Sequence, residues 1–356
     1  MKPSCDKVKP MKNYYIRTDT HDPWHNLAAE WFLSTLIGRG DVILYLWQNE
    51  RTVVIGRNQN ALRECRGELL EAEGGYLARR TTGGGAVYHD LGNLCFTFLA
   101  SPERYDLPKQ FSVVMDACRN LGVNTRLSGR NDIITDDGLK FSGNAFSHTS
   151  ACDIHHGTIM VDVSVEDMKR YLTPSAQKLK AKGVKSVRSR VCNLKDLAGN
   201  ITVDVLAEAL EESYHKIYGG CTALDPSIFE NEKVQAVYEK YASWDWRYGK
   251  SPDCETICQT RFDWGEVEVH CTLHGLRFQD VKVYSDALDV DLPSKIEAYL
   301  SGRRYDLADA VTGGESGKAS PVPCASPETG GSAGQREQEQ IRQVGEWLRG
   351  ELADQG

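Results

Sequence analysis

The chain is short of long apolar runs, of paired cysteines and of net positive charge. No apolar stretch approaches the roughly 18 residues that span a membrane, and no apolar segment follows the lysines of residues 1–12 as a secretion signal requires. The formal charge is −8, which argues against general binding to nucleic acid or to an anionic membrane, where a basic face is needed. The 11 cysteines form no C-x-x-C pair, and Cys254 and Cys258 have no matching Cys/His pair. That disfavours a zinc or disulfide framework and points to reduced thiols in the cytoplasm. No H-E-x-x-H zinc motif occurs; no G-x-G-x-x-G frame occurs and no Gly-Lys-Ser/Thr follows the run of glycines, so the standard nucleotide loops are excluded.

What remains is an ordinary globular composition, 40% hydrophobic over 356 residues, enough for roughly two domains. Asp22-Pro23 is a helix start, with Trp24, Leu27, Ala28 and Trp31 following at helical spacing. Val42 to Trp47 reads as a buried strand, with Thr52 to Gly56 pairing back on it after a turn. Leu94 to Leu99 is another strand, and Phe111, Val114, Met115, Cys118 and Leu121 line a helix that stops at Gly122. Asp132–Thr135 and Leu139–Ser142 flank an Asp-Gly turn and predict a hairpin. Thr158–Val163 reads as a strand, Val203 to Ile217 as an amphipathic helix, and Ile228–Tyr241 as another.

Mixed rather than alternating strands and helices give an α+β class. The expected organisation is an N-terminal extension over 1–12, a large domain over 13–248, and a small α+β domain over 249–356. In the small domain, Val267, Val269 and Cys271 alternate with Glu266, Glu268 and His270 and pair with a second strand after residue 275. Short helices follow near residues 293–300 and 303–310. A Gly/Ser/Pro-rich insertion occupies about 313–334, and a last helix carries Ile341, Val344 and Leu348 on one face.

The chemistry concentrates in Arg79-Arg80-Thr81-Thr82-Gly83-Gly84-Gly85-Ala86-Val87-Tyr88-His89-Asp90. Three glycines let backbone N–H groups approach an anion, and the arginines are permanent cations suited to phosphate. A tight turn with solvated arginines is the plain alternative. Lys140 lies in Leu139-Lys140-Phe141-Ser142-Gly143, where strand alternation puts Lys140 and Ser142 on one face and Leu139 and Phe141 on the other. Its ammonium suits a carboxylate or phosphate, although a lone lysine on a hairpin is usually solvated. Asn131 and Asp132 offer ligands for Mg²⁺ or ribose, or else simply cap a polar turn. His155 and His156 are adjacent on a strand and so point to opposite faces, which rules out a shared metal site. Lys178, Lys180, Lys182, Lys185, Arg188 and Arg190 form the strongest local positive field. Nothing in the spacing singles out Cys152 or Cys192 as an activated thiol.

Taken in order, these segments resemble the bacterial lipoate–protein ligase A family. The likeness runs from Asp22-Pro23-Trp24-His25-Asn26-Leu27-Ala28 through Thr52-Val53-Val54-Ile55-Gly56-Arg57-Asn58-Gln59-Asn60, the glycine loop, and Gly129-Arg130-Asn131-Asp132. It continues through Lys140-Phe141-Ser142-Gly143, His155-His156-Gly157-Thr158 and Lys182-Gly183-Val184-Lys185-Ser186-Val187-Arg188-Ser189-Arg190-Val191. Trp244-Asp245-Trp246 and Phe262-Asp263-Trp264-Gly265 close it. Thr81-Thr82, Phe141 and Asn144 depart mildly from the family pattern.

The resemblance implies a large mixed-sheet catalytic domain of the biotin/lipoate ligase type and a small C-terminal domain. It implies ATP-dependent activation of (R)-lipoate to lipoyl-AMP with Mg²⁺, then transfer to a lysine. The acceptors implied are apo lipoyl domains of 2-oxoacid dehydrogenase complexes and the H-protein of glycine cleavage, and the ligase is expected to be a monomer. Arg80, Gly85, Ala86, Val87, Tyr88 and Lys140 would bind ATP. Gly83, Gly84, Gly85, His89 and Lys140 would hold lipoate, Lys140 would be catalytic, Asn131 and Asp132 would face the adenylate or Mg²⁺, and Lys182, Arg188 and Arg190 would close over it. An octanoyl or lipoyl transferase of the same fold working without ATP, or a non-catalytic binding protein, is the alternative. A biotin ligase fits the residues less well.

Overall fold

The computed structural model describes residues 12–59, 61–129, 131–173, 191–248, 256–274, 277–303 and 333–353. Arg130, Lys182, Arg188 and Arg190 lie outside these, as do nearly all of the N-terminal extension and the 313–334 insertion. The chain divides into two compact units, residues 1–249 and 250–356.

The larger unit is built on an eight-stranded sheet. Its strands are β1 (Lys12–Arg17), β2 (Asp41–Trp47), β6 (Asn93–Ala100), β7 (Thr125–Ser128), β8 (Asp132–Thr135), β9 (Lys140–His148), β10 (Asp153–Met160) and β11 (Thr222–Ala223), in the order β11-β1-β2-β6-β10-β9-β8-β7. β1 runs parallel to β2 and β11, and the other pairs are antiparallel. β2 and β6 read as unbroken apolar runs because both of their faces are covered. Val42, Leu44, Leu46, Phe96 and Phe98 pack under the helices Leu107–Asn120 and Val203–Tyr218. Ile43, Tyr45, Trp47, Cys95 and Leu99 pack on the other side with Leu27 and Leu33 of the helix Pro23–Leu36 and Val234 of the helix Glu232–Ala242. Period-two alternation therefore survives, but both phases are apolar.

Thr52–Ile55 does not pair back on β2 as its sequence suggests. Both edges of β2 are already occupied, by β1 and β6. The segment instead forms β3, the centre of a separate three-stranded sheet with parallel β4 (Tyr76–Arg79) and antiparallel β5 (Val87–His89). Arg51, at φ 30°, turns the chain out of the large sheet just before β3 begins. The glycine loop joins β4 to β5 and so crosses the C-terminal end of β3.

Two further elements differ from the sequence reading. The expected helix from Ile228 is a 3-10 turn, Pro226–Phe229, followed by the helix Glu232–Ala242, whose N-cap is Asn231. The strand expected at Thr158–Val163 begins earlier, at Asp153.

In the smaller unit, β12 (Thr256–Phe262), β13 (Gly265–His274) and β14 (Arg277–Ser285) form an antiparallel sheet in that order. Its apolar face, with Val267, Val269, Cys271 and Val283, packs on Leu292, Ile296 and Leu300 of one helix and Val344 and Leu348 of the last. β12 is absent from the sequence reading, because Thr256–Phe262 carries no clean alternation of apolar and polar side chains.

Candidate functional site

Arg80 holds the glycine loop from within. The residue is 6% exposed. Its Nε donates to Thr82 Oγ1 and to the Gly83 carbonyl, each at 3.1 Å. One terminal nitrogen donates to Gly83 and Gly85 carbonyls at 2.7 and 2.9 Å, and the other to Val54 at 3.2 Å. The planar fork thus ties loop, β3 and itself together, a geometry that only arginine supplies. Arg79 is likewise buried and donates to the carbonyls of Gly56, Arg57 and Gln59 on one side and of Trp246 and Arg247 on the other. Both arginines shape the loop, and neither is laid open as the sequence reading of a pair of phosphate ligands supposes.

Gly84 sits at φ +92°, in the left-handed region that favours glycine. Its carbonyl approaches Gly56 so closely that a Cβ there would stand 2.2 Å from the oxygen. Gly83 and Gly84 are buried, while Gly85, Ala86 and Val87 are half-buried. The latter three present the loop's accessible edge.

A buried chain of hydrogen bonds anchors the loop to the large sheet. Thr82 Oγ1 lies 2.7 Å from His156 Nε2 on β10. His156 Nδ1 lies 2.8 Å from Glu30 Oε1 in the first helix. Thr97 on β6 donates to the same carboxylate at 2.7 Å and accepts from Trp47 Nε1 at 3.1 Å. A carboxylate is an acceptor, so the His156 proton belongs on Nδ1, and Nε2 pairs with the threonine hydroxyl. Glu30, Thr97 and Trp47 were not singled out by sequence. The available signal was Glu30 itself, a charged side chain at the Leu27–Leu33 spacing on the apolar face of a helix.

Lys140 opens β9, on the same face as this anchor. The register slips between Ile133 and Ile134, so that Ile133 faces Ser142 and Ile134 faces Lys140. Phe141 is the extra residue of a β-bulge. Phe141 and Ser142 consequently both lie inward, Phe141 in the core and Ser142 within 3.4 Å of Asn144 Nδ2. The expected pairing of Lys140 with Ser142 on one face fails for this reason. The Lys140 side chain instead folds over Gly143, whose missing Cβ would stand 3.1 Å from Nζ. Gly143 pairs with Thr158, two residues from His156 on β10, so ammonium and loop anchor share a side of the sheet.

Asp132 lies 2.7 Å from Lys140 Nζ, and both side chains are partly exposed. The Asn131 amide is committed elsewhere. Its Nδ2 donates to the Asn144 carbonyl at 2.6 Å, and Asn144 Nδ2 donates back to the Asn131 carbonyl at 3.1 Å. Among the described residues no group of three or more His, Cys, Asp or Glu side chains is arranged to hold a metal ion. Val191 bridges to Lys140, and the Cys192 N–H donates to the Lys140 carbonyl at 3.0 Å. The chain that follows the basic segment, at Val191 and Cys192, therefore lies beside the lysine.

Cys152 and Cys192 sit where a thiolate is disfavoured. Both are buried, and burial pushes their thiols up to about 12 and about 11. The two histidines part as expected. His155 is fully buried between Gln110 and Asn144, each 3.0 Å away, and burial drives its pKa well below the usual value. Tyr88 is buried beside Tyr171, their rings 5.7 Å apart. His89 is buried against Trp47 and Cys95, within hydrogen-bond reach of Asn49.

Residues 22–215 match the family model for the lipoyl protein ligase A/B catalytic domain, and residues 251–312 match that for the bacterial lipoate protein ligase C-terminus. A protein named lipoate-protein ligase A from Psychrobacter cryohalolentis is 38% identical over 351 residues, covering 96% of this chain and 99% of its own. The crystal structure of P. falciparum LipL1 in complex with lipoate is 26% identical, with a TM-score of 0.75 over 95% of this chain and 99% of that one. The bipartite lipoate protein ligase of Thermoplasma acidophilum, studied with its E2 lipoyl domain, is 25% identical, with a TM-score of 0.58 over 69% of this chain and 100% of that one.

Proposed function

The chain belongs to the lipoate–protein ligase A family, and we propose that its glycine loop and Lys140 form the two walls of a site that makes and uses lipoyl-AMP. The protein is an ATP-dependent lipoate–protein ligase. The observation that carries the assignment of the site is the bulge at Phe141, which turns the Lys140 ammonium to the face where Thr82 and His156 fasten the loop.

A carboxylate is a poor acylating agent, so activation comes first. A lipoate oxygen attacks the α-phosphorus of ATP, a P–O bond forms, and pyrophosphate leaves with the electrons of the broken bond. Both reactants are anions. Lys140 is placed to bring them together and to offset charge at the carboxylate and the α-phosphate. The N–H groups of Gly85, Ala86 and Val87, at the loop's accessible edge, with the adjoining buried Tyr88, receive the nucleotide, and Gly83 to Gly85 with His89 receive the acyl chain. Arg80 acts through the loop whose shape it sets. Asp132, which pairs with Lys140 here, would hold Mg²⁺ together with substrate phosphates, and the ion would neutralise the triphosphate.

In the second step a neutral lysine amine of the acceptor attacks the anhydride carbonyl. The amide forms, AMP leaves, and the amine's proton goes to solvent. No covalent enzyme intermediate is required, consistent with protonated Cys152 and Cys192. Lys182, Arg188 and Arg190 precede in sequence Val191, which bridges to Lys140, and would shield the anhydride. Lipoyl domains are the acceptor class, with those of 2-oxoacid dehydrogenase complexes and the glycine-cleavage H-protein as specific candidates. A monomer in the cytoplasm suffices for this chemistry, and no described helix is long and apolar enough to cross a membrane.

The test is mass spectrometry of the purified protein with ATP and lipoate, beside modification of an apo lipoyl domain with and without ATP. Retained lipoyl-AMP and strictly ATP-dependent modification are expected. Modification without ATP that Cys152→Ser or Cys192→Ser abolishes would establish a thioester transferase instead.

A further inference from the structure

His89 carries a buried hydrogen-bond donor with nothing to donate to. The side chain is 2% exposed, and its Nε2 has no partner. The protonation of the ring is fixed by a chain of amides behind it. Asn26 Nδ2 donates to the carbonyls of Thr20 and Gln48, at 3.1 and 2.7 Å, which orients that amide. The same Nδ2, its two protons shared among three acceptors, lies 3.0 Å from Asn49 Oδ1; an NH2 in that place would set donor against donor, so the oxygen stays there and Asn49 Nδ2 is left as a donor. Asn49 Nδ2 lies 3.1 Å from His89 Nδ1. His89 Nδ1 must therefore be the bare nitrogen, and the neutral ring holds its proton on Nε2. Burial, with Arg80 and His156 nearby, lowers the His89 pKa to about 3, so the neutral ring is the working form.

A buried unpaired donor is costly and calls for an acceptor. The His89 ring itself packs against soft groups, with the Trp47 ring edge-on at 6.3 Å and Cys95 Sγ 3.5 Å from Nδ1, while Arg80 and His156 are its charged and polar neighbours. The residue closes the glycine loop, on strand β5. We propose that His89 Nε2–H reads the sulfur atoms of the lipoyl ring, and so makes this site prefer a dithiolane tail to an aliphatic tail of the same shape. A thioether-like sulfur is a weak acceptor that suits such a pocket. An all-carbon tail leaves the donor unpaired, and unpaired buried groups are how sites reject close analogues. This inference rests on the ligase reading and names which part of that substrate is recognised.

The experiment compares kcat/KM for adenylate formation with lipoate and with cyclopentylpentanoate, in which methylenes replace both ring sulfurs. In the wild type lipoate is favoured. His89→Phe keeps a ring but removes the donor, and the lipoate-to-carbocycle ratio is expected to fall about twofold, the low end of the worth of one hydrogen bond, as suits a weak acceptor. His89→Gln places an amide N–H near the same point and is expected to restore part of the ratio. If the phenyl ring is not accommodated and the variant does not fold, His89→Leu gives the same reading as His89→Phe. An unchanged ratio in a folded His89→Phe or His89→Leu variant overturns the proposal. A wild type that adenylates neither acid defeats the ligase reading itself, a result distinct from adenylation of both with a ratio that no variant moves.

Discussion

The Thr82 hydroxyl lies 2.7 Å from Nε2 of His156, and this contact fastens the glycine loop to the large sheet. Thr82 also accepts from Arg80 Nε. Thr82→Val keeps the shape and strands two buried partners, so a loss of about 1–3 kcal/mol is expected. Thr82→Ser keeps the hydroxyl and most of the stability. Urea denaturation of the three proteins checks the stability, and the KM for ATP shows whether the loop has moved.

The approach of Gly56 to Gly84 makes a steric prediction. A methyl group at Gly56, fixed in direction by its own backbone, would meet the Gly84 carbonyl oxygen, a backbone atom, at 2.2 Å. Gly56→Ala is expected to lower stability by about 1–3 kcal/mol. It should also cut adenylation more severely than the loss of folded protein explains. Thermal melts beside pyrophosphate exchange at equal folded concentration separate the two effects.

Arg80 separates shape from charge. Arg80→Lys keeps the cation but cannot reach the carbonyls of Val54, Gly83 and Gly85 together. A cost of about 2–3 kcal/mol is expected, because hydrogen bonds to a charged donor are lost in a buried place. If Arg80 served only as a charge for phosphate, the substitution would leave stability unchanged and alter the KM for ATP alone.

Acid should destabilise this fold through buried histidines. His89 and His155 stay neutral in the folded protein because burial lowers their pKa values. Above the unfolded value of 6.5 both states are neutral and nothing is lost. Below it the unfolded chain takes up protons that the folded chain refuses, so stability falls as pH drops toward the folded values. Urea midpoints at about pH 7 and about pH 5 are expected to differ. His155→Gln should flatten that difference, and an equal slope in the variant would contradict the account.

Much of this architecture is legible in the chain. The helix from Pro23 announces itself by its Asp22 cap, and the 132–148 hairpin by its Asp-Gly turn. The terminal helix shows its docking face in Val344 and Leu348. What sequence could not supply was long-range competition. Thr52–Ile55 looks like the partner of β2 until the pairing of β1 and β6 with β2 is known. Alternation put Lys140 beside Ser142, and a single extra residue at Phe141 reversed it. The arginines signalled an anion site by type, but only the folded loop reveals that Arg79 and Arg80 serve its carbonyls. The sequence does not reveal the roles of Glu30 and Asn49, because their partners lie 126 and 40 residues away.

The most direct measurement is lipoate-dependent exchange of pyrophosphate with ATP by Lys140→Ala, beside a check of its fold by thermal unfolding. Lys140 is partly exposed and its ion pair with Asp132 stands at the surface, so the variant should fold normally. Its exchange rate should fall by at least about 10²-fold, as removal of one preorganised charge at a developing transition state predicts. A folded Lys140→Ala protein that exchanges pyrophosphate at the wild-type rate would contradict the placement of the adenylate between Lys140 and the glycine loop.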